Sequence, residues 1–222
     1  MNHTKIITRT GSYPVAIINL GGGTIKRAFD IILSGIGIVV SFPVWVISSI
    51  AIIMESGGPI FISQKRIGKD GNIFRMLKFR SMEKDTHNGI LLKHKEIYKD
   101  HVTRIGKVLR ATAMDELPQL LSIFKGDMSF VGPRPFHPDV EIIGSRYNRL
   151  MDVPGFDKRC GVRPGLTGIA QVFCDREAKT EKKVKYDILY IKKQSFLLDL
   201  KLIFLSFLVT FGGGWESTDR RM

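Results

Sequence analysis

AFDIILSGIGIVVSFPVWVISSIAIIM, Ala28 to Met54, holds about 27 residues with a single charge, Asp30. At ~1.5 Å per residue a straight helix of that length reaches ~40 Å, enough to cross a ~30 Å hydrocarbon core. Two features argue for a different path. Pro43, after Ser41-Phe42, removes a backbone donor near the middle and bends a helix there. The arms Ala28 to Phe42 and Val44 to Met54 are then only about 16 to 23 Å long, too short to cross alone. Lys26 and Arg27 precede the segment, and Lys65, Arg66 and Lys69 follow it. Basic residues favour the cytoplasmic side, so positive flanks at both ends predict a re-entrant hairpin through one leaflet over a kinked span. Ser41 is expected to satisfy a carbonyl freed at the break. No small-residue cleavage site follows the run, which argues against a signal peptide.

The chain around this segment is basic. Its 222 residues allow one core of ordinary size, and a formal net charge of +13 points to polyanionic partners: nucleic acid, an anionic leaflet or phosphorylated substrates. Only Cys160 and Cys174 are present, without metal-ligand spacing, and they are expected as reduced thiols in a cytosol-facing protein. A second apolar stretch, Ser195 to Phe211, contains Asp199 and Lys201 and has Leu198, Leu202, Leu205 and Leu208 at helical spacing. It predicts a helix packed on the core or lying in the membrane interface, and a poor span.

The organisation that follows is an N-terminal arm (residues 1–25), a membrane hairpin (26–56), one cytosolic domain (57–211) and a tail (212–222). Within the domain, PIFISQKRIGKDGNIFRMLKFRSM predicts two strands around the turn Lys69-Asp70-Gly71. Lys84 to Lys107, Ala113 to Phe124, Pro138 to Met151 and Lys179 to Lys193 predict helices. The stretch from Gly126 through Gly132-Pro133-Arg134-Pro135 reads as loop, and Arg163 to Gly168 as a turn.

Chemistry concentrates on the acidic pair Asp115–Glu116. Thr112-Ala113-Met114-Asp115 fits a capping box, and Glu116 a first-turn acid, neither of which requires catalysis. The same place on a helix N-terminus also attracts phosphate, keeps an acid ionised through a lowered pKa, and lets one acid attack phosphorus while its neighbour reaches a metal. Cations accompany the pair. Lys78 and Arg80 in KFRSM should share a strand face; Arg110 lies five residues before Asp115; Arg134 is fixed between two prolines; Arg163 precedes Pro164-Gly165. A plain solvated surface charge accounts for any one of them, but not easily for several beside rigid turns. The scattered His87, His94, His101 and His137 show no zinc spacing, and no GxxxxGK[ST] or GxGxxG run occurs.

These segments together resemble the bacterial sugar transferases, the small monotopic phosphoglycosyl transferases. KRAFD, Ser41-Phe42-Pro43, QKRIGKDGNIFRMLKFRSM, RATAMDELPQL, KGDMSFVGPRP, VRPGLTGIAQV and KYDILYI with LLDLKLI occur in the family's order between Lys26 and Phe211. The resemblance implies a mixed, helix-rich α/β fold: a re-entrant helix-break-helix hairpin, one small cytosolic catalytic domain and interfacial amphipathic helices. It implies transfer of a hexose-1-phosphate from a UDP-sugar to polyprenyl (undecaprenyl) phosphate at the bacterial inner membrane, as the first step of capsule, exopolysaccharide or O-antigen synthesis. Asp115 would be the nucleophile, forming an aspartyl-phosphosugar as UMP leaves, and Glu116 the Mg2+ ligand. Lys78, Arg80, Arg110, Arg134 and Arg163 would hold phosphate or nucleotide, and Asp187 would assist the acceptor. Ser122 stands where the family pattern has Asn. Membrane lipids are expected partners and nucleic acid is not; a homodimer is compatible with the sequence but demanded by no residue. The competing reading is a non-catalytic basic membrane scaffold for anionic lipid or nucleic acid. It explains charge and hairpin but not an acidic pair among rigid Arg-bearing turns.

Overall fold

The first element, α1 (Gly22–Ser56), is a single 35-residue α-helix that continues through Pro43. The computed structural model describes residues 22–83, 101–138, 147, 149–175 and 178–211. The expected break at Ser41–Pro43 is therefore not a gap between two helices. Proline at that point forfeits the bond to the Val39 carbonyl, four residues back. Ser41 Oγ reaches instead to the Ile38 carbonyl at 3.5 Å, so the expected repair falls one residue away from the freed group.

One face of α1 is covered along its length. Asp30, Ser34, Ser48 and Ile52 are buried, and Ile38 and Trp45 pack against the domain's apolar clusters. Ile32, Ile36, Val39, Val40, Ile47 and Ile50 are exposed on the other side. Asp30 and Ser34 are satisfied, as burial without a partner would be costly. Asp30 Oδ1 accepts from Ser129 Oγ and the Phe130 amide, each at 3.1 Å, and Ser34 Oγ donates to the Asp30 carbonyl at 2.5 Å. Both ends of the helix are tied to the same domain. Lys26 Nζ bonds Asp199 Oδ2 at 2.5 Å near one end, and the Glu55 carboxylate accepts from the Arg104 and Ile105 amides at 2.7 and 3.0 Å near the other.

Strands β1 (Phe61–Ile67) and β2 (Ile73–Phe79) form the expected antiparallel hairpin, with Ile62 opposite Lys78. Its connection is a 3-10 turn at Lys69–Gly71 in which Asp70 takes φ 56, a left-handed conformation that Asp tolerates. Helix α2 (Arg104–Ala111) begins with Thr103 Oγ1 accepting from the Gly106 amide at 2.9 Å. It lies so close to the end of β2 that a Cβ on Gly106 would stand 2.1 Å from the Ser81 carbonyl oxygen.

The single helix expected from Ala113 to Phe124 is two elements: a 3-10 turn at Met114–Glu116 and α3 (Gln119–Lys125). Thr112 closes α2 rather than opening a new helix, its hydroxyl donating to the Val108 carbonyl at 2.8 Å. Ala113 then turns left-handed at φ 55, and Pro118 precedes α3. A capping box does not form, because the residue that had to be extended, Thr112, is still helical.

Two segments expected as irregular contain short strands. β3 (Ser129–Val131) and β4 (Gly165–Thr167) pair in parallel. Three residues are too few to display alternation, and the neighbouring prolines mask the signal. Between them lie a 3-10 turn at Leu150–Asp152 and α4 (Phe156–Cys160); α5 (Ile169–Phe173), α6 (Thr180–Lys193) and α7 (Phe196–Phe211) follow. The helices expected at Lys84 to Lys107 and Pro138 to Met151 fall mostly outside the described residues, as do the arm and tail. Leu202 of α7 packs with Val131, Ile169, Val172 and Tyr190, while Leu197, Leu200, Phe204, Phe207 and Leu208 are exposed. Asp199 is buried in this seam, accepting from Lys26 and from Tyr190 Oη at 2.8 Å, so the internal acid of the apolar stretch is a paired core group. Cys160 and Cys174 are free and buried, and burial pushes the Cys160 thiol up to about 11.

Candidate active site

Asp115 and Glu116 sit on the 3-10 turn that joins α2 to α3, and both are buried, at 9% and 7% exposure. Burying two adjacent carboxylates demands cations nearby. Lys78 of β2 supplies one: its Nζ lies 2.5 Å from Glu116 Oε1 and 3.8 Å from Asp115 Oδ2. Arg134, on the loop after β3, supplies another through Nη2 at 2.9 Å from the same Glu116 oxygen. The Arg134 side chain is about half exposed, so its remaining donors face a solvent-accessible side of the pair.

The two acids are electrostatically unequal. Burial raises the pKa of both, but at Glu116 the charges of Arg134 and Lys78 outweigh it and hold the carboxyl at about 2. At Asp115 burial prevails over the pull of Lys78, with the Glu116 charge adding to the rise, and its pKa lies above the ordinary value. The expectation that a helix terminus would lower Asp115 is thus corrected. Asp115 is not at the start of a long helix, and among the described residues no cation lies as close to it as Lys78 and Arg134 lie to its neighbour.

Arg110 reaches the neighbourhood from α2, donating Nε to Ser81 Oγ at 2.8 Å, and its charge favours ionised Asp115. The fold thus brings Lys78, Arg110 and Arg134 to the acidic pair. Arg80 is placed differently. The strand ends at Phe79, so the alternation that would align Arg80 with Lys78 stops; Arg80 turns inward, 2% exposed, and donates to Ser56 Oγ at 2.6 Å and to the Gly57 carbonyl. Arg163 donates Nε to the Gly126 carbonyl at 2.8 Å, at the end of α3. Asp187 accepts from Arg159 Nε at 2.7 Å, with both side chains nearly fully buried. Ser41 and Pro43 lie within α1 as described. Arg159 was not singled out from sequence: its neighbours Asp157 and Lys158 make it look like one more surface charge.

The arrangement combines a buried carboxylate of raised pKa, a neighbouring acid held by two cations and a half-exposed arginine fork. Such a set suits displacement at phosphorus, in which charge builds on the phosphoryl oxygens. Among the described residues no group of three or more His, Cys, Asp or Glu gathers to cage a metal.

Residues 22–213 match the family model described as bacterial sugar transferase. The UDP-glucose:undecaprenyl-phosphate glucose-1-phosphate transferase of Klebsiella pneumoniae is 37% identical over 187 residues, 82% of this chain and 39% of that protein. The exopolysaccharide production protein PSS of Rhizobium leguminosarum bv. phaseoli is 36% identical over 185 residues, 81% of this chain and 92% of that protein. A UDP-N-acetylgalactosamine-undecaprenyl-phosphate N-acetylgalactosaminephosphotransferase of Aeromonas hydrophila is 37% identical over 185 residues, 81% of this chain and 42% of its own length. The chain thus spans about two fifths of the Klebsiella and Aeromonas proteins and nearly all of the Rhizobium one. With most of its length matched, from α1 through the acidic pair to α7, the chain belongs to the bacterial sugar transferase family.

Proposed function

We propose that the chain transfers a hexose-1-phosphate from a UDP-sugar to polyprenyl phosphate, giving a polyprenyl-diphospho-sugar and UMP. The observation that carries this reading is the buried Asp115–Glu116 pair, bridged by Lys78 and with Arg134 on Glu116. The relatives' names supply the substrate classes: UDP-glucose or UDP-N-acetylgalactosamine as donor and undecaprenyl phosphate as acceptor. In the first half-reaction an Asp115 oxygen bonds to the phosphorus that bears the sugar, and the bond from that phosphorus to the bridging oxygen breaks, releasing UMP. In the second, an oxygen of the lipid phosphate attacks the same phosphorus and returns the Asp115 carboxylate. Lys78 and Arg134 offset charge on the phosphoryl oxygens in both steps.

Magnesium fits the donor set as a shared ion rather than a caged one, since Mg2+ is commonly held by one or two carboxylates plus substrate phosphates. Both cations contact Glu116 through Oε1, so Glu116 would hold the ion through its other oxygen. When bound, the ion neutralises diphosphate charge.

The membrane arrangement belongs to the same proposal. Segment α1 is long and apolar enough to cross a bilayer by length and composition. Its two ends nevertheless bond the same domain through Lys26 and Glu55, and one face is covered throughout. This supports a helix that dips into one leaflet with the exposed stripes of α1 and α7 toward lipid, on the cytoplasmic side of the inner membrane by the positive flanks. A site at headgroup level then meets the lipid phosphate without extracting it.

The test is UMP release from a panel of UDP-sugars by nanodisc-held protein with magnesium and undecaprenyl phosphate. Exchange of labelled UMP into UDP-sugar without acceptor, lost in Asp115→Asn, is expected for the covalent route; release that strictly requires acceptor would overturn it.

A further inference from the structure

The loop that carries Arg134 is held by its carbonyls. Pro133 and Pro135 have no amide hydrogen to give, so the segment cannot anchor itself through those donors. Instead each of four successive carbonyl oxygens accepts a bond from elsewhere. The Gly165 amide donates to Pro133 at 2.9 Å, Arg66 Nη1 to Pro135 at 3.4 Å, and the Ile67 amide to Phe136 at 2.9 Å. The carbonyl of Arg134 itself takes Arg159 Nη2. That donor is the only one of the four supplied by a nearly fully buried side chain, and it is fixed on three sides. Asp187 accepts its Nε at 2.7 Å, and the guanidinium lies over the Phe136 ring at 4.3 Å and near Phe156 at 5.7 Å. An arginine so stacked and paired has lost most of its rotamer freedom before any substrate arrives.

We propose that Arg159 is a positioning residue for the transfer: locked by Asp187 and stacked on Phe136, it fixes the Arg134 peptide so that the Arg134 fork stands beside Glu116 ready for the donor diphosphate. This rests on the transferase reading above, and it gives Asp187 a supporting role through Arg159 in place of contact with the acceptor. Arg159 touches no reacting atom; it acts through Arg134 alone. Misplacing a positioned group by about 1 Å costs on the order of 100-fold in rate.

The test is a double-mutant cycle of Arg134→Ala with Arg159→Lys, which keeps the charge beside Asp187 but loses the fork. UMP release is measured in nanodiscs, with kcat and KM for the UDP-sugar determined separately and a thermal melt for each variant. Arg159→Lys alone is expected to lower kcat/KM by roughly 10- to 100-fold. In the double variant it should add little to the loss from Arg134→Ala, because the group it orients is gone. Should Arg159→Lys fail to fold, Asp187→Asn enters the same cycle with the same expectation. Losses that multiply, or wild-type kinetics in Arg159→Lys, would overturn the role while leaving the transferase reading intact. A wild-type chain that releases no UMP from any sugar sinks that reading, and this role with it.

Discussion

Lys78 Nζ lies 2.5 Å from Glu116 Oε1, a contact that joins the end of strand β2 to the 3-10 turn between α2 and α3. With Arg134 on the same oxygen, two separate stretches of chain are tied to one carboxylate on a third. The acid next in sequence is left with a longer contact to the same ammonium. One cation thus serves two carboxylates unequally, and their behaviour should differ in sign.

Asp115→Asn is expected to raise the melting temperature by a few degrees at pH 7 while abolishing UMP release. The folded pKa of Asp115 is raised, chiefly by burial, so its contribution to stability is full below the unfolded value and lost as pH rises through the folded one. At neutral pH the charge is a cost that Asn removes. Differential scanning at pH 7 and near pH 4 checks this, with the gain shrinking at the acid end; a lower melting temperature at pH 7 would contradict it.

Glu116→Gln should do the reverse. Its folded pKa of about 2 lies below the ordinary glutamate value of 4.5, so the stabilisation is present above pH ~4.5 and is lost as pH falls toward 2. The variant should be less stable at pH 7 by up to roughly 3 kcal/mol, and the difference should close in acid. Denaturant titrations at stepped pH measure it.

Arg80 and Arg134 should separate structure from chemistry. Arg80→Ala removes a buried donor from the Ser56–Gly57 end of α1, and a loss of about 3 kcal/mol is expected. What remains folded should bind donor with near-normal KM. Arg134→Ala should cost less stability than Arg80→Ala, because Lys78 still holds the buried Glu116 carboxylate, and should raise KM or lower kcat at least 10-fold. Interchanged results would put Arg80 at the diphosphate.

Gly106→Ala should be costly for a helix position where alanine ordinarily helps. The added Cβ would meet the Ser81 carbonyl oxygen at 2.1 Å, forcing α2 away from the end of β2. About 1 to 3 kcal/mol of stability is expected to go. Activity should fall with it, because Arg110 is hung between α2 and Ser81 Oγ. Val108→Ala, at an exposed position on the same helix, is the control.

Val39→Glu together with Ile47→Glu places charge on the exposed stripe of α1. Sedimentation with anionic liposomes should fall sharply, while the melt in detergent stays near wild type. Unchanged liposome binding would place the lipid contact elsewhere.

Much of this was written locally. The β1–β2 hairpin followed from a turn sequence between alternating residues, and α6 and α7 from helical spacing, because local preference and tertiary packing agree there. The acidic pair is conspicuous in a basic chain, and Arg134 by its place between two prolines. Local signals also misled where tertiary contacts overrode them. Thr112-x-x-Asp115 looks like a capping box, yet α2 docks through Gly106 and runs on to Ala111, leaving Thr112 to close it. Arg80 looks like the companion of Lys78, but the strand stops one residue earlier and the end of α1 claims its guanidinium. β3 and β4 carry no periodicity, since each exists only through its partner some 36 residues away. What composition and spacing determined was a long apolar segment before the domain and an acidic pair in an otherwise basic chain. Only the tertiary structure decided which carboxylate is held ionised and which arginines face the pair, because both depend on distances between segments that no local pattern encodes.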